Sequence, residues 1–146
     1  MEPRLLDAYI READTLLAGL AEASANLCLA IEDDTLARRA LKDAESSLSA
    51  TEAEIVMEAE LASIIDKTGP LAGIAKTSKA YGYALEYLLS KDRGNGSAIG
   101  YISAEVRRLQ GAADSALIDR QQAETRFAAI RHAADLMAAI LKAASV

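Results

Sequence analysis

At 146 residues and a net charge of −6, the chain has room for one domain with a core of its own and too little for two ordinary ones. Alanine occurs 32 times, proline twice, phenylalanine once and tryptophan never, which excludes a wide core filled by aromatic side chains. A single cysteine excludes an internal disulfide, and the lack of any run of 18 uncharged apolar residues argues against a membrane-spanning helix.

Alanine is the strongest helix former because it gives up no side-chain entropy, yet its methyl group buries little area. Such a composition predicts helices packed closely along their lengths. Cys28 stands in the apolar run Leu27-Cys28-Leu29, where a free cysteine is expected to act as a small buried hydrophobe. The segment Met1-Glu2-Pro3-Arg4-Leu5-Leu6-Asp7 carries acids where a secretory signal needs a basic start, so a cytoplasmic location without membrane contact is expected. Charge is unevenly spread: residues 1–65 carry −9, residues 66–108 carry +3 and residues 109–146 are balanced.

Pro3 suits the first turn of a helix, where its missing N–H would find no partner anyway. From there Leu6, Ile10, Ala13, Leu17, Leu20, Ser24, Leu27 and Ile31 recur in alternating steps of four and three, the spacing of a heptad seam. Continuing that phase would place Asp34, Arg38 and Glu45 on the seam, so a register shift is expected at Glu32-Asp33-Asp34-Thr35. Asp33 or Asp34 could cap a second helix there. A continuous or gently kinked helix is favoured, since no glycine or proline occurs between Gly19 and Gly69. Leu41, Ala44, Leu48, Ile55, Ala59 and Ala62 carry the pattern on to Ile65.

Lys67-Thr68-Gly69-Pro70 then stops it, with Gly69 expected to supply a left-handed cap. A loop over 66–76 leads to a short helix from Thr77 or Ser78 to Ser90, with Tyr81, Ala84, Leu85 and Leu88 on one face. Asp92-Arg93-Gly94-Asn95-Gly96-Ser97 reads as a second loop, with Ser97 a cap for the next helix. That final helix, 98–144, repeats Ile102, Val106, Leu109, Ala113, Ala116, Arg120, Ala123, Phe127, Ile130, Ala134, Met137 and Leu141 without a slip. Only Arg120 interrupts it. A helix of roughly 70 Å needs a partner of similar length, and residues 4–65 are the candidate. The expected fold is therefore all-α: one domain over 1–146, an elongated antiparallel bundle of two long helical arms with a short helix between them.

No catalytic constellation stands out, and no enzyme is expected. A di-iron site in a bundle needs paired Glu-x-x-His motifs, whereas this chain has one histidine, His132, with Asp135 three residues after it. Zinc fails for the same shortage of ligands. Glu54 and Glu58 share a face, but paired carboxylates do acid–base work only when buried or held in a cleft. Ser49-x-x-Glu52 and Thr51-x-x-Glu54 match a capping box but lie inside an unbroken helical pattern. Gly94-Asn95-Gly96 has neither the Lys-Ser/Thr sequel nor the preceding strand of a nucleotide loop. Neither a cofactor nor a metal is expected.

One region differs from the rest. Residues 67–108 hold four of the six aromatics, Tyr81, Tyr83, Tyr87 and Tyr101, and seven of the sixteen bases. Rings that stack on bases and cations that meet phosphates are what a single-stranded nucleic acid surface requires. Lys76, Lys79, Tyr83, Tyr87 and Arg93 are the candidate contacts; the competing reading has the tyrosines covering a bundle flank.

The stretch Lys76-Thr77-Ser78-Lys79-Ala80-Tyr81 after a long helix, followed by a helix with the Arg126–Leu136 segment, resembles small all-helical proteins of bacteriophages and prophages encoded near single-strand annealing recombinases. Here Gly73-Ile74-Ala75-Lys76-Thr77 stands where such proteins carry a Gly-Lys-Asn step, and the likeness spans about residues 36–144. It implies an accessory role in phage DNA recombination or single-strand DNA metabolism and brings no catalytic residues. The functional expectation is a helical interaction protein that docks on protein partners, self-associates and touches single-stranded DNA. The alternatives are a structural, scaffold or chaperone-like rod, or an inhibitor whose acidic first helix mimics nucleic acid.

Overall fold

In the computed structural model, which describes residues 2–91 and 98–145, the backbone forms three helices. They are α1 (Pro3–Ile65), α2 (Lys79–Lys91) and α3 (Ala98–Ala144). The two long helices pack against each other with the short one between them in the chain, and the described residues hold no strand. The loop expected over Asp92–Ser97, including Ser97 as a cap, lies outside the described residues.

α1 begins at Pro3 as its fixed φ favours, and the Leu6 N–H donates to the Glu2 carbonyl at 3.0 Å. It then runs 63 residues without interruption. No second cap forms at Asp33 or Asp34. Threonines inside the helices bond back to the preceding turn, Thr35 Oγ1 to the Ile31 carbonyl at 2.9 Å and Thr51 Oγ1 to that of Ser47 at 2.9 Å. The capping-box resemblance at Thr51 is thus a mid-helix back-bond.

α1 ends at Ile65, where the sequence pattern stops, but the first left-handed residue after it is not the expected Gly69. Lys67 takes the first left-handed position, at φ 51°, and the Thr68 N–H reaches back to the Ala62 carbonyl at 3.2 Å. Gly69 and Gly73 come next at φ 89° and 72°, where a Cβ would be strained.

The chain divides into two compact units, one of Met1–Ala37 with Ala113–Val146, the other of Arg38–Ala112. In the first, the start of α1 pairs with the end of α3. A Cβ placed on Gly19 would sit 4.0 Å from Ile130 Cγ2, and Asp34 meets Arg120, so the two helices run antiparallel. The α3 side of this contact agrees with the sequence expectation. Ala113 is buried, and Ala116, Arg120, Ala123, Phe127, Ile130, Ala134, Met137 and Leu141 are half-buried.

On α1 the phase differs from the expected one. Leu6, Ala13, Leu20 and Leu27 do turn inward, but their companions are Tyr9, Leu16, Ala23 and Ala30. Ile10, Leu17 and Ile31 face outward, Leu17 with 59% of its surface exposed. Nor does the register shift near Asp34. The same heptad position continues through Asp34 itself to Leu41, Leu48, Ile55 and Ala62.

Asp34 is fully buried. Its Oδ2 accepts a hydrogen bond from Arg120 Nη1 at 3.0 Å, and Arg120 Nε also donates to Glu124 Oε1 at 2.9 Å. Those bonds, Glu124 first and Asp34 second, hold the guanidinium pKa above its ordinary value. Cys28, expected in the core, is exposed, because the corrected seam passes through Leu27 and Ala30 and leaves position 28 outside.

The second unit joins the end of α1 to the connection, to α2 and to the start of α3. Its buried apolar residues are Ala59, Leu71 and Ile99. Leu71 comes from the connection, where Ala72 N–H to Gly69 O (3.2 Å) and Ile74 N–H to Leu71 O (3.4 Å) form the turns that carry it inward. α2 lies along α1 with Leu89 at a groove lined by Ser49, Ala53, Val56, Met57 and Glu60.

α1 also contains an 18-residue window of mean hydropathy 1.3, apolar enough by length and composition to cross a membrane. The apolar stretch Leu16–Ile31 is broken by Glu22 and packs one of its faces against α3, as Ala23 shows.

Ile99→Ala should cost about 2–5 kcal/mol in urea unfolding, because Ile99 is fully buried, while Leu29→Ala on the exposed side of α1 should cost no more than about 0.5 kcal/mol. Asp34→Ala and Arg120→Ala should each lower the melting temperature, since each removes the buried Arg120–Asp34 hydrogen bond. The reciprocal exchange, Asp34→Arg with Arg120→Asp, should recover most of the loss. A double variant no better than the singles would mean the pairing is not what the seam requires.

Candidate nucleic-acid interface

α2 owes its start to Ser78. The Ser78 Oγ accepts from the Tyr81 N–H at 3.3 Å and donates to the Ala75 carbonyl at 2.6 Å, so one hydroxyl caps the helix and ties it to the connection before it. At about 100° per residue, Lys79, Tyr83 and Tyr87 then fall within an arc of about 80°. Tyr81, Ala84, Leu85 and Leu88 are half-buried on the opposite side. The apolar side therefore points the other three outward.

Lys79 is exposed, and Tyr83 and Tyr87 show 69% and 65% of their surface. Glu86 is exposed on the same face. Tyr101, at 77%, is exposed as well; it stands near the start of α3.

Lys76 is exposed too, but it stands on the connection before α2, beside a carboxylate. Its Nζ lies 3.8 Å from Glu60 Oε1, the oxygen that also accepts the Tyr81 hydroxyl hydrogen bond. Both contacts fasten the connection and the first turn of α2 to α1. The Glu60 bond pushes the Tyr81 phenol pKa above its ordinary value, with desolvation and the carboxylate's charge acting in the same direction. Helical spacing places Tyr81 on the inner face but carries no sign of its partner, 21 residues away. On α3, Arg108 bonds Glu105 through Nε at 3.0 Å and through Nη2, which lowers the Glu105 pKa and raises that of Arg108. Arg93 lies outside the described residues.

The candidate set thus divides. Lys79, Tyr83 and Tyr87 share an open face, and Lys76 faces Glu60. Elsewhere, Glu54, Glu58 and His132 are exposed, and no group of three or more potential metal ligands occurs among the described residues. No protein family, curated protein or solved structure matches the chain.

Because the Tyr81 pKa is raised in the folded state, its contribution to stability is present below about pH 10 and is lost as pH rises through the folded value. Phenolate absorbance measured up to high pH should show a component above 10 that disappears in Tyr81→Phe. Loss of that component in Glu60→Gln as well would not fit a shift caused by burial alone.

Proposed function

We propose that this chain is a non-enzymatic helical interaction protein whose α2 face, Lys79 with Tyr83 and Tyr87, meets single-stranded DNA. The observation that carries this reading is the exposure of both rings beside an exposed cation on one face of a helix. Large aromatic surfaces left in water are costly to the isolated protein, and a base offers a ring-sized apolar partner that demands no sequence. The resemblance to phage proteins encoded near annealing recombinases supports the same role, an accessory factor that handles single strands without chemistry of its own. With Lys76 turned to Glu60 and Glu86 on the binding face, stacking carries more of the affinity than charge does.

A second reading, a scaffold or acidic nucleic-acid mimic without DNA contact, draws on the −9 carried by residues 1–65. Fluorescence anisotropy with a labelled single-stranded oligonucleotide at low salt separates the two. Tyr83→Ala and Tyr87→Ala should each weaken binding by about 1–3 kcal/mol. Lys79→Ala should reduce the slope of log K against log salt by about 0.7, one single-strand phosphate contact. No affinity at low salt ends this reading and favours the scaffold.

A further inference from the structure

In the second unit, exposed apolar side chains of α1 fall on one line. Met57, Leu61 and Ile64 follow one another at intervals of four and three, and all are exposed, Ile64 with 71% of its surface. Ala53, one turn before Met57, extends the line and is exposed as well. Beside it runs the groove that α2 leaves against α1, walled by Ala53, Val56 and Met57 on one helix and by Leu89 on the other. From Ser49 to Ile64 this surface is about 24 Å long at 1.5 Å per residue. The Tyr81 and Lys76 contacts with Glu60 fix α2 at one end of it, so the groove exists before any partner arrives.

Its borders are acidic. Between Lys42 and Lys67 the chain carries seven acids and no base. Glu54 and Glu58 are exposed, and helical spacing sets them on the flank of the Met57 line away from α2. α2 runs back along α1, from Tyr81 at Glu60 to Leu89 at the Ser49–Met57 stretch, so an equal rise places Glu86 near the level of Ile55. Glu86 is exposed and stands one turn from Leu89, on the other lip of the groove. Carboxylates thus border the apolar strip on both sides, while Lys76 and Lys79 stand at its Glu60 end.

These features select the occupant. An uncharged helix would cover carboxylates without bringing them a counter-charge, which desolvation penalises. A second copy presenting this same face would set acid against acid. An extended segment pairs its backbone with a sheet edge, and the described residues hold no strand. A helix with apolar side chains three and four residues apart fits the Met57 line and the groove beside it. Lysines or arginines flanking those positions reach the carboxylates on either side.

We propose that the strip from Ala53 to Ile64 is a docking groove for a basic amphipathic helix of a partner protein. Its apolar side rests on Met57, Ile64 and Leu89, and its cations meet Glu54 and Glu86. This extends the reading of the chain as an interaction protein and does not depend on the DNA contact. Its test therefore contains no nucleic acid, and its failure leaves the Tyr83 and Tyr87 reading standing.

The probe is a fluorescein-labelled helical peptide of leucine and lysine, about 18 residues long and apolar on one side, followed by fluorescence anisotropy with the full chain. It should bind at low salt and lose affinity as salt rises. The same pattern with glutamate in place of lysine should not bind. Met57→Gln with Ile64→Gln should weaken the lysine peptide about tenfold with helix content unchanged, since both side chains are exposed. Glu54→Gln with Glu86→Gln should weaken it and flatten its salt dependence. Glu32→Gln with Asp33→Asn, at two exposed acids elsewhere on α1, should leave the affinity within about twofold. No binding at low salt, equal binding of the glutamate peptide, an unaffected Met57/Ile64 variant or an equal loss in the Glu32/Asp33 control overturns the proposal. So does a dimer of the chain that the Met57/Ile64 exchange dissolves, because a second copy would then be the occupant.

Discussion

The pairing of α1 with α3 depends on Asp34 and Arg120. A seam built largely from alanine and leucine has little to distinguish one register from another, because a slip of one heptad replaces one small apolar contact by a similar one. The two charges remove that freedom. Slipping by a heptad would set Asp34 against Ala113 or Phe127, and Arg120 against Leu27 or Leu41. Either slip takes the Arg120 hydrogen bond away from a fully buried carboxylate. The desolvation cost of such an ion is large, and the penalty falls on every wrong register and spares the right one. Whether an apolar pair would be more stable at this site is a separate matter. A polar pair at one seam level specifies alignment even when it contributes little net stability.

The same constraint explains why α1 presents two apolar faces. Bringing Asp34 onto Arg120 fixes the rotation of α1 so that Tyr9, Leu16, Ala23 and Ala30 complete the seam. Ile10, Leu17 and Ile31, one position farther round, are then turned out. A helix apolar on two sides has a weak overall amphipathic signature and a high local hydropathy. That accounts for the membrane-like window near its start, without any need for the helix to be apolar all round. In the second unit α2 uses the second face, anchored by the Tyr81–Glu60 hydrogen bond and the Lys76–Glu60 ion pair.

Much of the architecture was legible in the sequence, and the parts that were not share a cause. The α3 seam could be read position by position because its twelve residues alternate without a rival phase. α1 offered two phases sharing Leu6, Ala13, Leu20 and Leu27, and bulk favoured the wrong companions, Ile10, Leu17 and Ile31, over Tyr9 and the small Ala23 and Ala30. Asp34 then looked like an obstacle to be avoided by a register shift. Arg120 stood out as the one interruption of α3, yet the two exceptions answer each other across 86 residues, a match that no single-helix pattern contains. Cys28 shared the same error, since its expected burial came from its apolar neighbours and not from the phase of the helix. Leu71 was hidden for a different reason: a buried residue in a connection has no periodicity to announce it. At the candidate interface, the outward placement of Tyr83 and Tyr87 came from the inner face of α2, while the engagement of Lys76 by Glu60 depends on tertiary packing.

The distribution of ion pairs gives the α2 face its character. Arg120 is held by Asp34 and Glu124, Arg108 by Glu105 and Lys76 by Glu60. Two of the seven bases of residues 66–108, Lys76 and Arg108, thus lie beside carboxylates of the protein itself. A strongly basic groove holds any polyanion and grips duplex and single strand alike through the phosphates. On the proposed reading, a face with two exposed rings, Lys79 and a neighbouring carboxylate offers little to a duplex, whose bases are already stacked. An unpaired strand has bases free to cover the rings, and so gains more from the same surface. The acidity of the rest of the chain sharpens this difference, since it repels any polyanion that lacks a compensating contact. Selectivity for single strands can therefore arise on an acidic protein without base-specific hydrogen bonds, from rings that only an unstacked base can cover.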